Sequence, residues 1–241
     1  MVKQQLENYM KENKLLSKYQ SGFRRKFSCE TAVNYVVSRW KNAKNNKILA
    51  IFLDFKRAFE TIDRDILQKL LKHGIEDEEL MWFKSYLINR KQITRVNNTE
   101  SSLIENKYGV PQGSISGALL FIIDINDMEN VLKKYEIVLY AEDILIFTNK
   151  ADNLCQENLT KDMENVNKWL MMNKLKLNEN KTKLLEINMD NNIIFKINNV
   201  IMEEVNSIKY LGFIIDKALE FNEHMEFICK KIEEKLDISN A

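Results

Sequence analysis

The alternation of apolar and polar positions divides the chain into stretches of helical and of extended period. Apolar residues at Val2, Leu6, Met10 and Leu15 or Leu16 predict an amphipathic helix over residues 2–18. Ser28 is placed to cap a second helix, with an apolar face of Ala32, Val33, Val36, Val37 and Trp40. The run ILAIFLDF (48–55) is apolar until Asp54, as in a central strand buried on both faces and ending in a carboxylate. Helices over 63–73, closed by Gly74, and over 77–89, opened by Asp77, come next. Strands are expected around Thr94 and over 103–108, then a helix from Ser114 onwards. EIVLYAEDILIF (136–147) sets β-branched and aromatic runs on both sides of Glu142 and Asp143, the pattern of a tight hairpin with carboxylates at its tip. A helix over 152–173, short strands at 183–188, 193–197 and 208–215, and a last helix carrying Met225, Ile228, Ile232 and Leu236 complete the pattern. No repeat, low-complexity tract or Pro/Gly linker interrupts it, so the pieces are expected to pack as one α+β body.

Composition narrows the function classes. The longest apolar runs, 48–53 and 118–123, are six residues, far too short to span a bilayer, and the Lys- and Asn-rich start resembles no secretory signal. Cys29, Cys155 and Cys229 are odd in number and widely separated, which predicts buried thiols in a reducing compartment. His73 and His224 have no partner at metal-ligand spacing. The net charge of +1 hides an asymmetry: residues 1–50 carry eleven Lys or Arg against three acids, and the remainder 25 against 32. A basic beginning beside an acidic remainder suits a protein that grips phosphates with one part and holds cations with another; lopsided solvated helix faces give the same count.

Two stretches carry candidate chemistry. GVPQGSISG (109–117) holds three of the six glycines and the only proline, marking a backbone that turns sharply or admits a ligand closely. Glu142 and Asp143, between apolar runs, repel each other and lose hydration, so both stay ionised only with a compensating cation. Alone, such a tip is more often an ordinary solvated turn; Asp54, at the end of its own apolar strand, is what gives it a partner.

The blocks QSGFRRKFSCETA, FLDFKRAFETID, WFKSYLINRKQ, GVPQGSISGALLFIIDIND, YAED, WLMMNKLKLNENKTK and IKYLGFIID, in this order over nearly the whole chain, resemble the reverse transcriptase domain of non-LTR (LINE-type, jockey-like) retrotransposons. The resemblance implies an antiparallel palm sheet with helices mainly on one face, flanked by partial fingers (1–47), with the palm at 48–188 and primer-grip-like strands and the start of a thumb at 189–241. It implies RNA-directed DNA polymerisation with two Mg²⁺ ions, or Mn²⁺ in their place, acting on an RNA template, a DNA primer and deoxynucleoside triphosphates. Asp54, Glu142, Asp143 and the Phe55 carbonyl would be the metal ligands. Phe59 would lie under the nucleotide sugar, or simply pack in the core. Gln112 and Gly113 would contact nucleotide and template. Lys181 would pass a proton to departing pyrophosphate, or be an ordinary surface lysine. Tyr210, Leu211 and Gly212 would form the primer grip, and Arg24 and Arg25 would touch phosphates or be merely solvated.

The chain departs from the family pattern at YAED, where the family has YADD. Glu142 keeps the charge but adds a methylene, and misplacements of about 1 Å at a reacting centre cost on the order of 10²-fold in rate, so polymerisation is expected to be strongly impaired. Glu60 stands where Asp is usual, and Asp124 at a helix position usually apolar or aromatic. The chain is also expected to lack finger strands and most of a thumb, as in a truncated or decayed element copy. The alternative is a non-catalytic remnant that binds RNA or an RNA–DNA hybrid.

Overall fold

The computed structural model describes residues 1–43, 47–111, 113–148, 156–189, 196–197 and 200–239. It begins with α1 (Val2–Glu12) and α2 (Cys29–Lys41), then β1 (Ile48–Leu53), α3 (Ala58–Thr61), α4 (Ile66–Lys72) and α5 (Asp77–Leu87). Four short strands follow: β2 (Arg90–Gln92), β3 (Arg95–Val96), β4 (Thr99–Glu100) and β5 (Ile104–Asn106). After α6 (Gly117–Asp124) come the hairpin β6 (Glu136–Tyr140) and β7 (Asp143–Thr148), then α7 (Gln156–Met172) and β8 (Lys183–Ile187). The chain closes with β9 (Lys196–Ile197), β10 (Val200–Ile201), β11 (Glu203–Glu204), β12 (Ser207–Tyr210), β13 (Phe213–Asp216) and α8 (Asn222–Ser239).

The central sheet runs β11-β8-β1-β7-β6 and is antiparallel except for the β11–β8 edge pair, which is parallel. β1 is its middle strand and every residue of it is buried, as a continuous apolar run requires. Side chains alternate between faces. Leu49, Ile51, Leu53, Ile144 and Ile146 pack with Leu6 and Met10 of α1, Ile66 and Leu70 of α4, and the apolar faces of α6 and α7. Ile48, Ala50, Phe52, Leu145 and Phe147 face the other way, onto Val33, Val36 and Trp40 of α2 and onto Tyr210 and Ile215 of the β12–β13 hairpin. Helices therefore lie mainly on one face, while α2 lies on the other and α8 packs against the β12–β13 hairpin.

Capping agrees with the sequence pattern. The Ser28 hydroxyl accepts from the Thr31 N–H at 3.2 Å, and the Thr31 hydroxyl accepts from the Ser28 N–H at 2.8 Å. Gly74 (φ +80°) ends α4 in a Schellman turn, with Ile75 N–H on the Leu70 carbonyl at 3.1 Å. Three expectations are corrected. The 208–215 stretch is two strands, because Leu211 (φ +49°) and Gly212 (φ +88°) make a two-residue turn of left-handed residues. The first helix stops at Glu12, ended by Lys14 in the left-handed region (φ +53°). Cys229 is exposed and Cys29 only partly buried, so neither is the buried thiol expected; Cys155, most of the predicted 193–197 strand and the start of the 152–173 helix lie outside the described residues. No helix among the described residues is long and apolar enough to cross a membrane.

Candidate active site

Asp54 directly follows β1 and Asp143 opens β7, one step beyond the Leu53–Ile144 pair of the antiparallel register. By strand alternation Asp54 shares the face of Ala50 and Phe52, and Asp143 that of Leu145 and Phe147. The two carboxylates, 89 positions apart in sequence, are thus neighbours on the face that also carries β12–β13. Asp143 is pushed up to about 6, first by loss of water and then by the charges of Glu142 and Asp54. That residual repulsion is what a hard divalent cation relieves, and carboxylate oxygens are its preferred donors. Among the described residues no three His, Cys, Asp or Glu side chains enclose a metal site.

The backbone beyond β1 is held by the 176–182 segment. The Asn178 N–H donates to the Asp54 carbonyl and the Lys56 N–H to the Lys176 carbonyl, both at 2.8 Å, around a Phe55–Leu177 bridge. In that pairing the N–H and C=O of Phe55 point away from Leu177, toward the β7 side, where a carbonyl ligand is expected. The Asp54 N–H reaches the Thr182 hydroxyl at 3.4 Å, and exposed Lys181 sits in the turn immediately before it.

The hairpin tip is built on strain. Tyr140 pairs with Asp143, leaving Ala141 (φ +53°) and Glu142 as the turn. The QSG segment supports it: Leu139 exchanges backbone bonds with Tyr19 and Ser21 at 2.9 and 2.8 Å, and the buried Gln20 Oε1 accepts from Gly22 N–H (2.7 Å) and Ala141 N–H (3.2 Å). A β-carbon on Gly22 would stand 2.3 Å from the Ala141 nitrogen and 2.9 Å from the Tyr140 carbonyl carbon. Both are backbone atoms, so Gly22→Ala is expected to displace the turn, to destabilise the fold by about 1–3 kcal/mol and to weaken divalent-cation binding. Thermal unfolding and Mn²⁺ titration of this variant check both effects; a wild-type result in each contradicts the buttress. The Tyr140 hydroxyl is pushed up to about 12, first by its hydrogen bond with the Cys29 thiol and then by burial. Sequence reasoning missed Gln20, Gly22, Cys29, Tyr140, Asn178 and Thr182; the one available signal was a glycine inside a basic loop, which marks close backbone approach.

The remaining candidates fall into three places. Phe59 lies in a row of rings, 4.6 Å from Phe121 and 6.2 Å from Phe23, with one side still open; it packs on the core and keeps a free surface. Its carbonyl accepts from the Val110 N–H at 3.0 Å, and Arg64 donates to the carbonyls of Gly109 (2.8 Å) and Asn106 (3.0 Å), so the GVPQG loop is tied to α3 and to the link between α3 and α4. Gly113 (φ +74°) is the third residue of a turn closed by Ser114 N–H on the Pro111 carbonyl at 3.0 Å, with open space where a side chain would be. Gln112 lies outside the described residues. Tyr210 is buried edge-on to Phe52 at 5.2 Å, its hydroxyl raised by burial and by Asp143, while Leu211 and Gly212 carry the open turn beside it. Arg24 donates to the Ser17 and Gln20 carbonyls at 2.8 and 2.9 Å and lines a groove with the end of α1 and α4. Arg25 is exposed.

Residues 1–215 match the family model described as reverse transcriptase (RNA-dependent DNA polymerase). The chain belongs to the reverse transcriptase family. It is 26% identical over 250 residues to the RNA-directed DNA polymerase assigned to transposon BS of Drosophila melanogaster, covering 98% of this chain and 28% of that protein. It is 28% identical over 228 residues to the RNA-directed DNA polymerase from mobile element jockey of Drosophila funebris, covering 87% of this chain and 24% of the relative. This reverse transcriptase chain therefore spans less than a third of the length of these curated relatives. Its fold resembles telomerase from Candida albicans, solved with a TWJ fragment of telomeric RNA (TM-score 0.64, 14% identity, 89% of this chain and 36% of that one). It also resembles apo telomerase from Candida tropicalis truncated from its C-terminal domain (TM-score 0.63, 14% identity, 92% and 43%). The mainly antiparallel sheet expected from the motifs is the one the structure has, and the likeness to these telomerases extends over that fold.

Proposed function

We propose that this chain is the palm-centred portion of an RNA-directed DNA polymerase of a jockey-like non-LTR retrotransposon, extending a DNA primer on an RNA template from deoxynucleoside triphosphates. The observation that carries this reading is the register that makes Asp54 and Asp143 neighbours at the open end of the sheet. Divalent ions held there would supply stabilisation of the attacking and leaving oxygens of an in-line displacement. Asp54, Asp143 and the Phe55 carbonyl are the ligands we assign, with Glu142 a poorly placed fourth. Phe59 offers its free ring face to the sugar. The Gly113 turn gives backbone access to nucleotide and template, the Leu211–Gly212 turn holds the primer backbone, and Lys181 is placed to hand a proton to the leaving pyrophosphate. We assign residues 1–47 to partial fingers, 48–188 to the palm and 189–241 to the primer grip and start of the thumb, and we place the chain in an intracellular reducing compartment.

Primer extension on an RNA template, with Mg²⁺ and then Mn²⁺, tests the reading: weak extension that disappears in Asp54→Asn supports it, and extension unaffected by that change refutes it. The shift at Asp143 sets a pH dependence. A carboxyl that keeps its proton up to about 6 must lose it to bind a cation, so Mn²⁺ affinity is expected to rise through pH 6 and to be about tenfold weaker at pH 5 than at pH 7. Titration calorimetry at the two values, with Asp143→Asn as a flat reference, checks this.

A further inference from the structure

The carboxylates use one face of the sheet; the layer of helices on the other face carries a groove that the proposed reaction leaves unused. It encloses about 650 Å³ between the end of α1, residues 14–18, α4 and the segment after α6. Lys11, Lys14, Lys18, Arg24, Lys69 and Lys72 line it, against Asp127 and Glu129. Both acids are engaged, Asp127 by the Trp169 indole N–H at 3.2 Å and by Lys69 at 3.5 Å, Glu129 by the Ser17 hydroxyl. Lys69 is in turn held by Asp124 and by Asn173. Arg24 is fixed by two carbonyls, both bound through Nη1, which orient the guanidinium without neutralising it. Lys11, Lys14 and Lys72 are exposed and make no ion pair among the described residues.

Lys14 is the informative one. It is the residue after α1 in a Schellman turn, with its N–H on the Lys11 carbonyl (3.1 Å) and the Leu15 N–H on the Met10 carbonyl (2.9 Å), a left-handed position where glycine sits without strain. At the equivalent turn α4 has Gly74. α7 has Lys174 (φ +58°), which uses the position to bridge Asp63 and Asp65 at 2.9 and 3.0 Å. Lys14 makes no such bridge, and what the strained turn achieves is one more cation on the groove.

We propose that this groove binds the sugar–phosphate backbone of RNA, as an anchor for the template on the layer of the palm away from the carboxylates. The inference rests on the polymerase reading, which supplies the polyanion: a template far longer than the few nucleotides at the site. Concave placement lets several cations reach one backbone, and each phosphate neutralised releases counterion, so affinity falls steeply with salt.

The test compares the wild-type chain, Lys14→Gly/Lys72→Ala, and a control that loses two charges elsewhere, Lys161→Ala/Lys168→Ala on α7, binding an RNA hairpin across salt concentrations. Lys14→Gly removes backbone strain, so the groove variant is expected to fold at least as well as wild type, checked by thermal unfolding. It is expected to bind RNA at least tenfold more weakly, with a log–log salt slope shallower by about 1.4–1.8, while the control stays within twofold of wild type. A groove variant with wild-type affinity and slope overturns the anchor alone. No RNA binding by the wild-type chain at low salt overturns it together with the polymerase reading. Equal displacement of RNA by polyglutamate at matched charge also overturns it, since any acidic chain would then serve.

Discussion

Glu142→Asp is expected to raise RNA-templated primer extension on the order of 10²-fold. The extra methylene cannot be absorbed by backbone movement, because the turn that carries Glu142 is fixed from two sides. Tyr140 and Asp143 close it within the hairpin, and Gln20 and Gly22 pack directly on its backbone. Mg²⁺ demands oxygens at about 2.0–2.1 Å in near-octahedral geometry, so a carboxylate reaching too far from this fixed turn would hold such an ion in poorer geometry than the shorter aspartate. Mn²⁺ in place of Mg²⁺ is expected to narrow the gap between the two proteins. The measurement is single-nucleotide extension under matched conditions; a wild-type rate equal to that of Glu142→Asp contradicts the claim that residue 142 limits the reaction.

The second large effect lies in the helical layer. Lys69 is nearly buried and its ammonium meets Asp124 Oδ1 at 3.3 Å, Asn173 Oδ1 at 2.6 Å and the Trp169 ring at 5.4 Å, joining α4, α6 and α7. Asp124 is the residue at a position expected to be apolar, and Lys69 is the reason it is tolerated. Its carboxyl is pushed up to about 6 by burial, with Lys69 opposing. Removing one partner of such a pair leaves a buried charge without compensation, so Lys69→Met is expected to cost about 3–5 kcal/mol at pH 8. Replacing both, as in Lys69→Met/Asp124→Leu, is expected to be neutral or stabilising by about 1–4 kcal/mol. The sign with pH follows from a folded-state value above the unfolded one. The contribution of Asp124 to stability is fully present below about 3.8 and is lost as pH rises through about 6, amounting to about 3 kcal/mol. Lys69→Met should therefore destabilise less at pH 5 than at pH 8. Urea unfolding of the three proteins at both pH values checks this; a double variant as unstable as the single one refutes the pairing.

The main elements were legible because their signals are local. Both six-residue apolar runs are buried, 48–53 as β1 in the middle of the sheet and 118–123 inside α6; β-branched residues and a carboxylate end the first as a strand, and the Gly- and Ser-rich turn before the second opens it as a helix. Ser28 and Gly74 mark helix ends through their own backbone chemistry. The hairpin and Asp54 were placed correctly relative to each other because strand alternation fixes which face each carboxylate shares. What was hidden depends on packing between distant segments. Nothing about Gln20 in a basic loop announces that it adds beside β6 and supports the turn carrying Glu142, and nothing near Asp124 points to a lysine 55 positions earlier. Nor does the charge of Arg24 announce that Nη1 binds the Ser17 and Gln20 carbonyls on the groove beside α1. The 208–215 stretch concealed a turn because Leu211 continues the apolar pattern while its backbone is left-handed.

Titration calorimetry of Mn²⁺ binding at pH 7, in the presence of a deoxynucleoside triphosphate, to the wild-type chain, Asp54→Asn and Asp143→Asn tests most directly whether the two aspartates share a cation. Strong loss of Mn²⁺ binding in each single variant, with unfolding temperatures unchanged or raised by relief of repulsion, is the result expected. Mn²⁺ binding of wild-type strength in either variant would mean that the carboxylates do not act as one site, and would contradict the polymerase reading at its root.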